Sequence, residues 1–550
     1  MAMPSAVTLN GHPGAQAVSD ALVSPATGAE EERKSSMSGR EVQQATELTG
    51  KSLPGALQQT ETATPEMLKQ RQVVNSGEQC TEASLITQAT AAAMDIEQAK
   101  NYVADLCHEI GLADVHKKHF NALLESVTTM FQSACPPARE NLIPPDRTNL
   151  IAFLQLPCLK NNFTDLPVNQ RPVDLDVLNA IKLMCRDLGI PDAQAVEALL
   201  TLPCLKKFWT GNDEAVKDEK IDRSTLSNVA QMHRNKGLAD PSAVDDFLRS
   251  SCLREGWTGN DEAVKNESFN CQVFDTITDM CDGLGLPDLS ELQAFLEQPC
   301  LRERWSGNDE WVRGNPIDGD RLWQIGSMYD SKGLPNLLDL NTFMNQACLR
   351  EGWTGNDEAV KNKPVNDPVF DWITTSLCSG KGIPEPRGLR DFLSLACLKE
   401  GWTGDDDAVR DKPIDCTTLS IICAFCPEEN VLLNPQDVQA LLNLSCLREG
   451  WMGDDEAVRN SPINNFVANT ISSICLFKGI PDPQHLTAWL TQACLREGWT
   501  GDDQAVKDKP IDSNLLYDIF FMKYRGVGLP GMAEVKAEVE AFLQERIRLA

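Results

Sequence analysis

Nineteen cysteines are the first residues in this 550-residue chain that could do chemistry. Paired, they would make a disulfide framework; gathered with histidine, they would hold zinc. Cys423 and Cys426 form a C-x-x-C, the spacing of a redox pair, but no strand pattern precedes it. Cys107, His108, His116 and His119 sit close in sequence, at spacings that match no zinc ligand set. Asp405, Asp406 and Asp407 could attract a cation, yet they run consecutively rather than alternating along a calcium loop. Eleven tryptophans could offer a stacking platform for bases or sugars. No nucleophile elbow, phosphate-binding glycine loop or H-E-x-x-H occurs. Residues 90–160 offer no catalytic set either. The chain reads as a non-enzyme with no metal and no cofactor.

The spacing of the cysteines gives them a different meaning. Cys204, Cys252, Cys300, Cys348, Cys397, Cys446 and Cys494 fall at intervals of 48, 48, 48, 49, 49 and 48 residues. Each opens a phrase such as CLREGWTGNDEAV, with Trp209, Trp257, Trp305, Trp353, Trp402, Trp451 or Trp499 five places on. A worn copy starts at Cys158, with Phe163 in the tryptophan place. A repeat period of this kind signals stacked supersecondary units. One cysteine per unit, about 10 Å from its counterpart, can reach neither a disulfide partner nor a shared metal. These cysteines and tryptophans are therefore expected to be the structural core of the repeat, with reduced thiols. A second set, Cys185, Cys281, Cys378, Cys426 and Cys475, reads the same way.

Within a unit, Leu226, Val229 and Met232 mark an amphipathic helix over 223–237, closed by Gly237. Asp222, Asp318, Asp415 and Asp512, with Asn270, Asn366 and Asn464, stand where N-caps are needed. After a GLPD-type turn, whose proline can open the next helix, a second helix is expected over 290–305. Pro203 and Pro299 predict a kink or break in some units. The TGNDEAV stretch predicts a third short helix with a threonine cap. No β-branched alternation appears, so no strands are expected.

Two or three helices per unit cannot bury their apolar faces alone. The fold class is accordingly all-α, a right-handed α-solenoid of units about 48 residues long. In layout it resembles α-helical repeat proteins of the HEAT, armadillo and pentatricopeptide kind, though its repeat phrase matches none of their signatures. Residues 1–90 are poor in large apolar groups and are expected to be a disordered tail, dispensable for folding. Residues 91–157 read as degenerate N-terminal repeats, 158–529 as the tandem array and 530–550 as a capping helix. A Ser- and Thr-rich tail ahead of such an array resembles the layout of bacterial effectors exported through a type III system. That resemblance implies export without a Sec signal peptide into a host cell and action on host proteins; cytoplasmic residence fits the sequence equally.

Comparing units separates what stacking demands from what it does not. Cysteine, leucine, tryptophan, glycine and the Asp/Val loop repeat. Pairs early in the first helix vary: Ser227-Asn228, Asp275-Thr276, Trp323-Gln324, Asp371-Trp372, Ser420-Ile421, Asn469-Thr470 and Tyr517-Asp518. These fourteen residues are the candidate binding face, with at least one of each pair turned outward. Aromatic groups there suit an interface. A net charge of −30 argues against phosphate-backbone binding and against anionic membranes, and no apolar run is long enough to span a bilayer. The expected partner is a protein, plausibly basic, met by a monomer. The alternative is a nucleic-acid reader taking one base per unit. Unit 252–299 opposes it, with ten acidic and two basic residues.

Overall fold

Each unit begins where a short acceptor side chain frees the backbone to turn into a helix. The carboxylate of Asp222 accepts from the Ser224 amide and Asp318 from that of Arg321. The amide side chains of Asn270, Asn366 and Asn464 accept from Val273, Val369 and Val467. Asp415 and Asp512 do the same for Thr417 and Leu515. The computed structural model describes residues 94–115, 119–133, 142–160, 171–427, 432–521 and 523–549. The tail expected over 1–90, His116, Phe163 and the worn Trp phrase beginning at 161 lie outside them.

The described residues are mostly helical. Ahead of the array come α1 (Ile96–Glu109), α2 (Leu112–Val115), α3 (Phe120–Thr129) and α4 (Arg147–Gln155), with a two-residue antiparallel pair, β1 (Gln132–Ser133) and β2 (Leu142–Ile143). The first helices of successive units are α5 (Leu175–Cys185), α7 (Arg223–Met232), α9 (Cys271–Met280), α11 (Gly319–Met328), α13 (Asp367–Trp372), α15 (Cys416–Ala424), α17 (Asn465–Ile474) and α19 (Ser513–Leu516). The second helices are α6 (Ala193–Leu200), α8 (Pro241–Arg249), α10 (Leu289–Leu296), α12 (Leu337–Met344), α14 (Pro386–Leu393), α16 (Pro435–Leu442) and α18 (Pro483–Leu490). The last helix is α20 (Met532–Leu549). First helices pack one on the next along the chain, α3 on α5, α5 on α7, α7 on α9, α9 on α11 and α15 on α17. All of these elements belong to one compact unit, Glu82–Ala550.

The elements are shorter than their hydrophobic pattern suggests. Helix α7 stops at Met232, not at Gly237. Gly237 instead adopts φ +94°, and its amide donates to the carbonyl of Met184 in the preceding unit at 2.9 Å. The same staple joins Gly285 to Met232, Gly333 to Met280, Gly382 to Met328 and Gly479 to Phe425. The left-handed conformation, easy only for glycine, thus serves the joint between units rather than a helix end. The second helix also stops early. Helix α10 ends at Leu296, and a separate 3₁₀ turn, Pro299–Leu301, follows. Proline is not the cause, since Ser251 and Ala347 open the same turn in neighbouring units. The break tucks the cysteine and leucine of the repeat phrase into the core, where Cys252 and Leu253 are buried. Nor does the GLPD proline open a helix: Pro287 precedes Asp288, which is itself the cap.

A third feature was visible as an irregular interval. The step from Cys348 to Cys397 is 49 residues rather than 48. Residues Ile373–Leu377 form a π-helix, which absorbs one extra residue without breaking the helix. A second π-helix covers Tyr517–Phe521.

The joint between units is built from three residues of the repeat phrase. The buried tryptophans donate their indole N–H to an aspartate four residues on, at 2.8–3.0 Å: Trp209 to Asp213, Trp257 to Asp261, Trp305 to Asp309, Trp353 to Asp357, Trp402 to Asp406, Trp451 to Asp455 and Trp499 to Asp503. A cation of the following unit then lies over the ring. Arg254 stacks on Trp209 at 4.5 Å, Arg302 on Trp257 at 4.9 Å, Arg350 on Trp305 at 4.4 Å and Lys399 on Trp353 at 4.5 Å. Arg448 and Arg496 stack on Trp402 and Trp451, both at 4.5 Å. On Trp499 the place is taken by Lys536 of α20, at 5.7 Å.

Candidate binding face

The varied pairs divide cleanly when mapped on the first helices. Ser227, Asp275, Trp323, Asn469, Tyr517 and Asp518 are exposed; Asn228, Gln324, Asp371, Trp372 and Ser420 are half-buried. Thr276, Ile421 and Thr470 are buried, and they must be withdrawn from the binding face. The reason is helical geometry. In most pairs the second member leans over the turn toward the neighbouring first helix, and Asp518 alone stays exposed. There the backbones approach so closely that a Cβ on Gly326 would stand 2.3 Å from the Thr276 methyl group. The spacing of one residue, 100° around a helix, was enough to turn a solvent position into a joint position.

Exposed aromatic rings stand on this face, although the most exposed tryptophan, Trp311 at 77%, lies away from it in the Asp309–Val312 turn. Trp323 is 49% exposed and Tyr517 41%. Phe466 stands with its ring centre 5.9 Å from that of Tyr517, which in turn stacks on Phe521 at 4.5 Å. Phe208, 82% exposed, sits in the loop position that is glycine in five other units and holds φ +61°. With Asn228, Cys271 and Asp275 it lines a shallow cavity of about 290 Å³.

Polar side chains stitch adjacent helices across the same face. Asn228 donates to Asp275 at 2.7 Å, Gln231 to Asp279 at 3.1 Å, Gln272 to Asp320 at 3.3 Å and Gln324 to Asp371 at 3.4 Å. Guanidinium groups do so elsewhere: Arg223 pairs with Asp174 and Asp176, Arg234 with Asp282 and Arg321 with Asp367. The Asp279 carboxyl is raised above its usual range, first by burial and then by repulsion from Asp330, Asp275 and Asp282.

The other chemistry-bearing residues fall into the core or the joints. The cysteines described are free thiols. Burial pushes Cys252, Cys446 and Cys494 up to about 11 and Cys300, Cys348 and Cys397 up to about 12. Such thiols are poor nucleophiles. Cys423 is fully buried in the last turn of α15. Cys426 receives the Lys381 ammonium at 3.6 Å, a contact the C-x-x-C spacing could not reveal. His108 packs edge-on against Phe120 at 5.7 Å, and His119 caps α3 without a side-chain bond. Among the described residues no three His, Cys, Asp or Glu side chains converge as a metal site.

The DEAV stretches are 3₁₀ turns, and threonine does not cap them. Asn308 caps one through the Glu310 amide, and at the Asp407–Val409 turn the Asp405 carboxylate accepts from the Asp407 amide. Sequence reading missed the partnership of tryptophan and aspartate, and it missed the joint cation. Both were legible as an Asp four places after each Trp and a Lys or Arg two places after each Cys. Among the described residues no helix is long and apolar enough to cross a membrane. No family model, no curated protein and no solved structure matches this chain.

Proposed function

We propose that this chain is a non-enzymatic α-solenoid scaffold that binds a protein partner along the face of its first helices. One observation carries the reading. The repeated Cys, Leu, Trp and Val side chains are buried, while the exposed positions of α7, α9, α11, α17 and the Tyr517 turn differ from unit to unit. Exposed indole and phenol rings on Trp323 and Tyr517 contribute little to folding, and such groups anchor interfaces when covered. Regular backbone staples between units support the solenoid part, because each unit needs its neighbour to satisfy amides such as those of Gly237 and Gly285. The alternative of a one-base-per-unit reader would bring phosphates against Asp275, Asp279, Asp320 and Asp371, and like-charge repulsion opposes it.

The test is photo-crosslinking from position 323 or 517 of the full chain in cells, followed by affinity measurement on the captured partner. Trp323→Ala and Tyr517→Ala should leave the circular-dichroism spectrum and melting curve nearly unchanged and weaken the partner by more than about 1 kcal/mol for at least one of them. Partner binding indifferent to both, and to Trp372→Ala, would move the interface off this face.

A further inference from the structure

The carboxylates on this face are held in place without being neutralised. Asp275, Asp279, Asp320 and Asp371 each accept from an amide side chain of the preceding first helix. An amide satisfies a lone pair but brings no charge. Where this chain does neutralise such a carboxylate it uses arginine, as with Arg223 on Asp174 and Arg321 on Asp367. The row from α9 to α13 therefore presents ordered negative charge to solvent. In its middle, a cavity of about 340 Å³ opens between α9 and α11, lined by Gln231, Asp279, Asp282, Trp323, Ser327 and Asp330. Arg234 offsets one of its three carboxylates, Asp282. Two negative charges remain beside a half-exposed indole.

That combination is complementary to a cation on a long apolar stem. The stem lies along the ring, and the head reaches the carboxylates. The chain already uses the same pairing internally, with guanidinium groups 4.4–4.9 Å from indole centres at its joints. The geometry points to the Trp323 cavity, and the carboxylate row from Asp275 to Asp371 around it, as the seat of an Arg- or Lys-rich segment of a protein partner. The inference rests on the scaffold reading and names the chemistry of what the scaffold holds. One cationic head fills the cavity, and flanking cations lie against Asp275 and Asp320 on one side and Asp371 on the other.

The test uses a fluorescent peptide of alternating Arg and Ser, its Lys analogue and an acidic Glu-Ser analogue, titrated into the full chain at near-physiological salt. The double variant Asp279→Asn with Asp330→Asn should weaken the Arg peptide about tenfold, and Trp323→Ala should weaken it several-fold. The control is a second double variant, Glu262→Gln with Glu310→Gln, on loop carboxylates that are 84% and 78% exposed. It removes the same charge and should change affinity less than about twofold. Equal losses in both double variants would reduce the effect to attraction by net charge and overturn the inference. Should the first double variant lose its helical signal, Asp320→Asn with Asp371→Asn, on carboxylates of the same row outside the cavity lining, takes its place with the same expectation. A partner crosslinked through position 323 or 517 that ignores every Asp→Asn change would leave the scaffold standing and remove the basic segment from it.

Discussion

Lys399 occupies a place that is arginine in five other units, at 254, 302, 350, 448 and 496, and the difference is measurable. Arg254, Arg350 and Arg448 each donate to two backbone carbonyls. One lies six residues earlier, on Leu248, Met344 and Leu442, at 3.1–3.2 Å. The other lies thirteen residues later, on Glu267, Lys363 and Ser461, at 3.0–3.4 Å. At the Lys399 joint those carbonyls belong to Leu393 and Lys412. The Lys399 ammonium is 5% exposed and reaches neither; its Nζ has no hydrogen-bond partner. Lys399→Arg should supply both bonds. A hydrogen bond from a charged donor contributes about 1.5–3 kcal/mol, and these are long ones, so a net gain of about 2 kcal/mol is expected near pH 7.

The pH dependence sharpens the test. Burial lowers the Lys399 pKa to about 8 from the ordinary 10.5. Between those values the unfolded chain holds a proton the folded chain has released, so the wild type gains stability as pH rises through that window. The full swing is about 3 kcal/mol. Arginine titrates higher, so the advantage of the variant should shrink steadily from pH 8 to pH 10. Urea denaturation of both proteins, followed by tryptophan fluorescence at several pH values, gives the difference directly. A variant no more stable than wild type at pH 7 would refute the reasoning. So would an advantage that grows with pH.

The repeat thiols make the whole array sensitive to alkali. With folded values of about 11–12 against 9.0 for a free thiol, their contribution is intact below pH 9 and lost as pH rises toward the folded values. By pH 10 each buried repeat thiol costs on the order of 1 kcal/mol. Stability in urea should therefore fall between pH 8 and pH 10, and Cys252→Ala, Cys300→Ala and Cys348→Ala together should flatten that fall; an unaltered profile would sink the account. Phe208 holds a left-handed conformation that costs an L-residue about 1–2 kcal/mol, against about 0.5–1 kcal/mol of extra chain entropy for glycine. Phe208→Gly should therefore stabilise the protein by up to about 1 kcal/mol in chemical denaturation, and a destabilised variant would show that the exposed ring is packed in solution.

The sequence by itself determined the period, the caps and the buried set of this protein. A cysteine and a tryptophan returning every 48 or 49 residues can only be copies of one local structure. Asp or Asn at each helix start is a local choice, satisfied within two or three residues, so it reads directly from the chain. Leu226, Val229 and Met232 lie inside because an apolar stripe at helical spacing has nowhere else to go. Even the extra residue of the Cys348 interval was countable, although whether it becomes a loop or a π-turn is not a local question. The tertiary structure decided everything that depends on a neighbouring unit. Met232 ends α7, Gly237 staples to Met184 and Arg254 lies over Trp209 because the preceding unit presents a carbonyl or a ring at that point. No pattern within one unit contains that information. The same holds for the candidate face. Sequence variation nominated both members of each pair, and only the close approach of first helices, set by Gly326 against Thr276, divided them into residues that meet solvent and residues that meet the next helix.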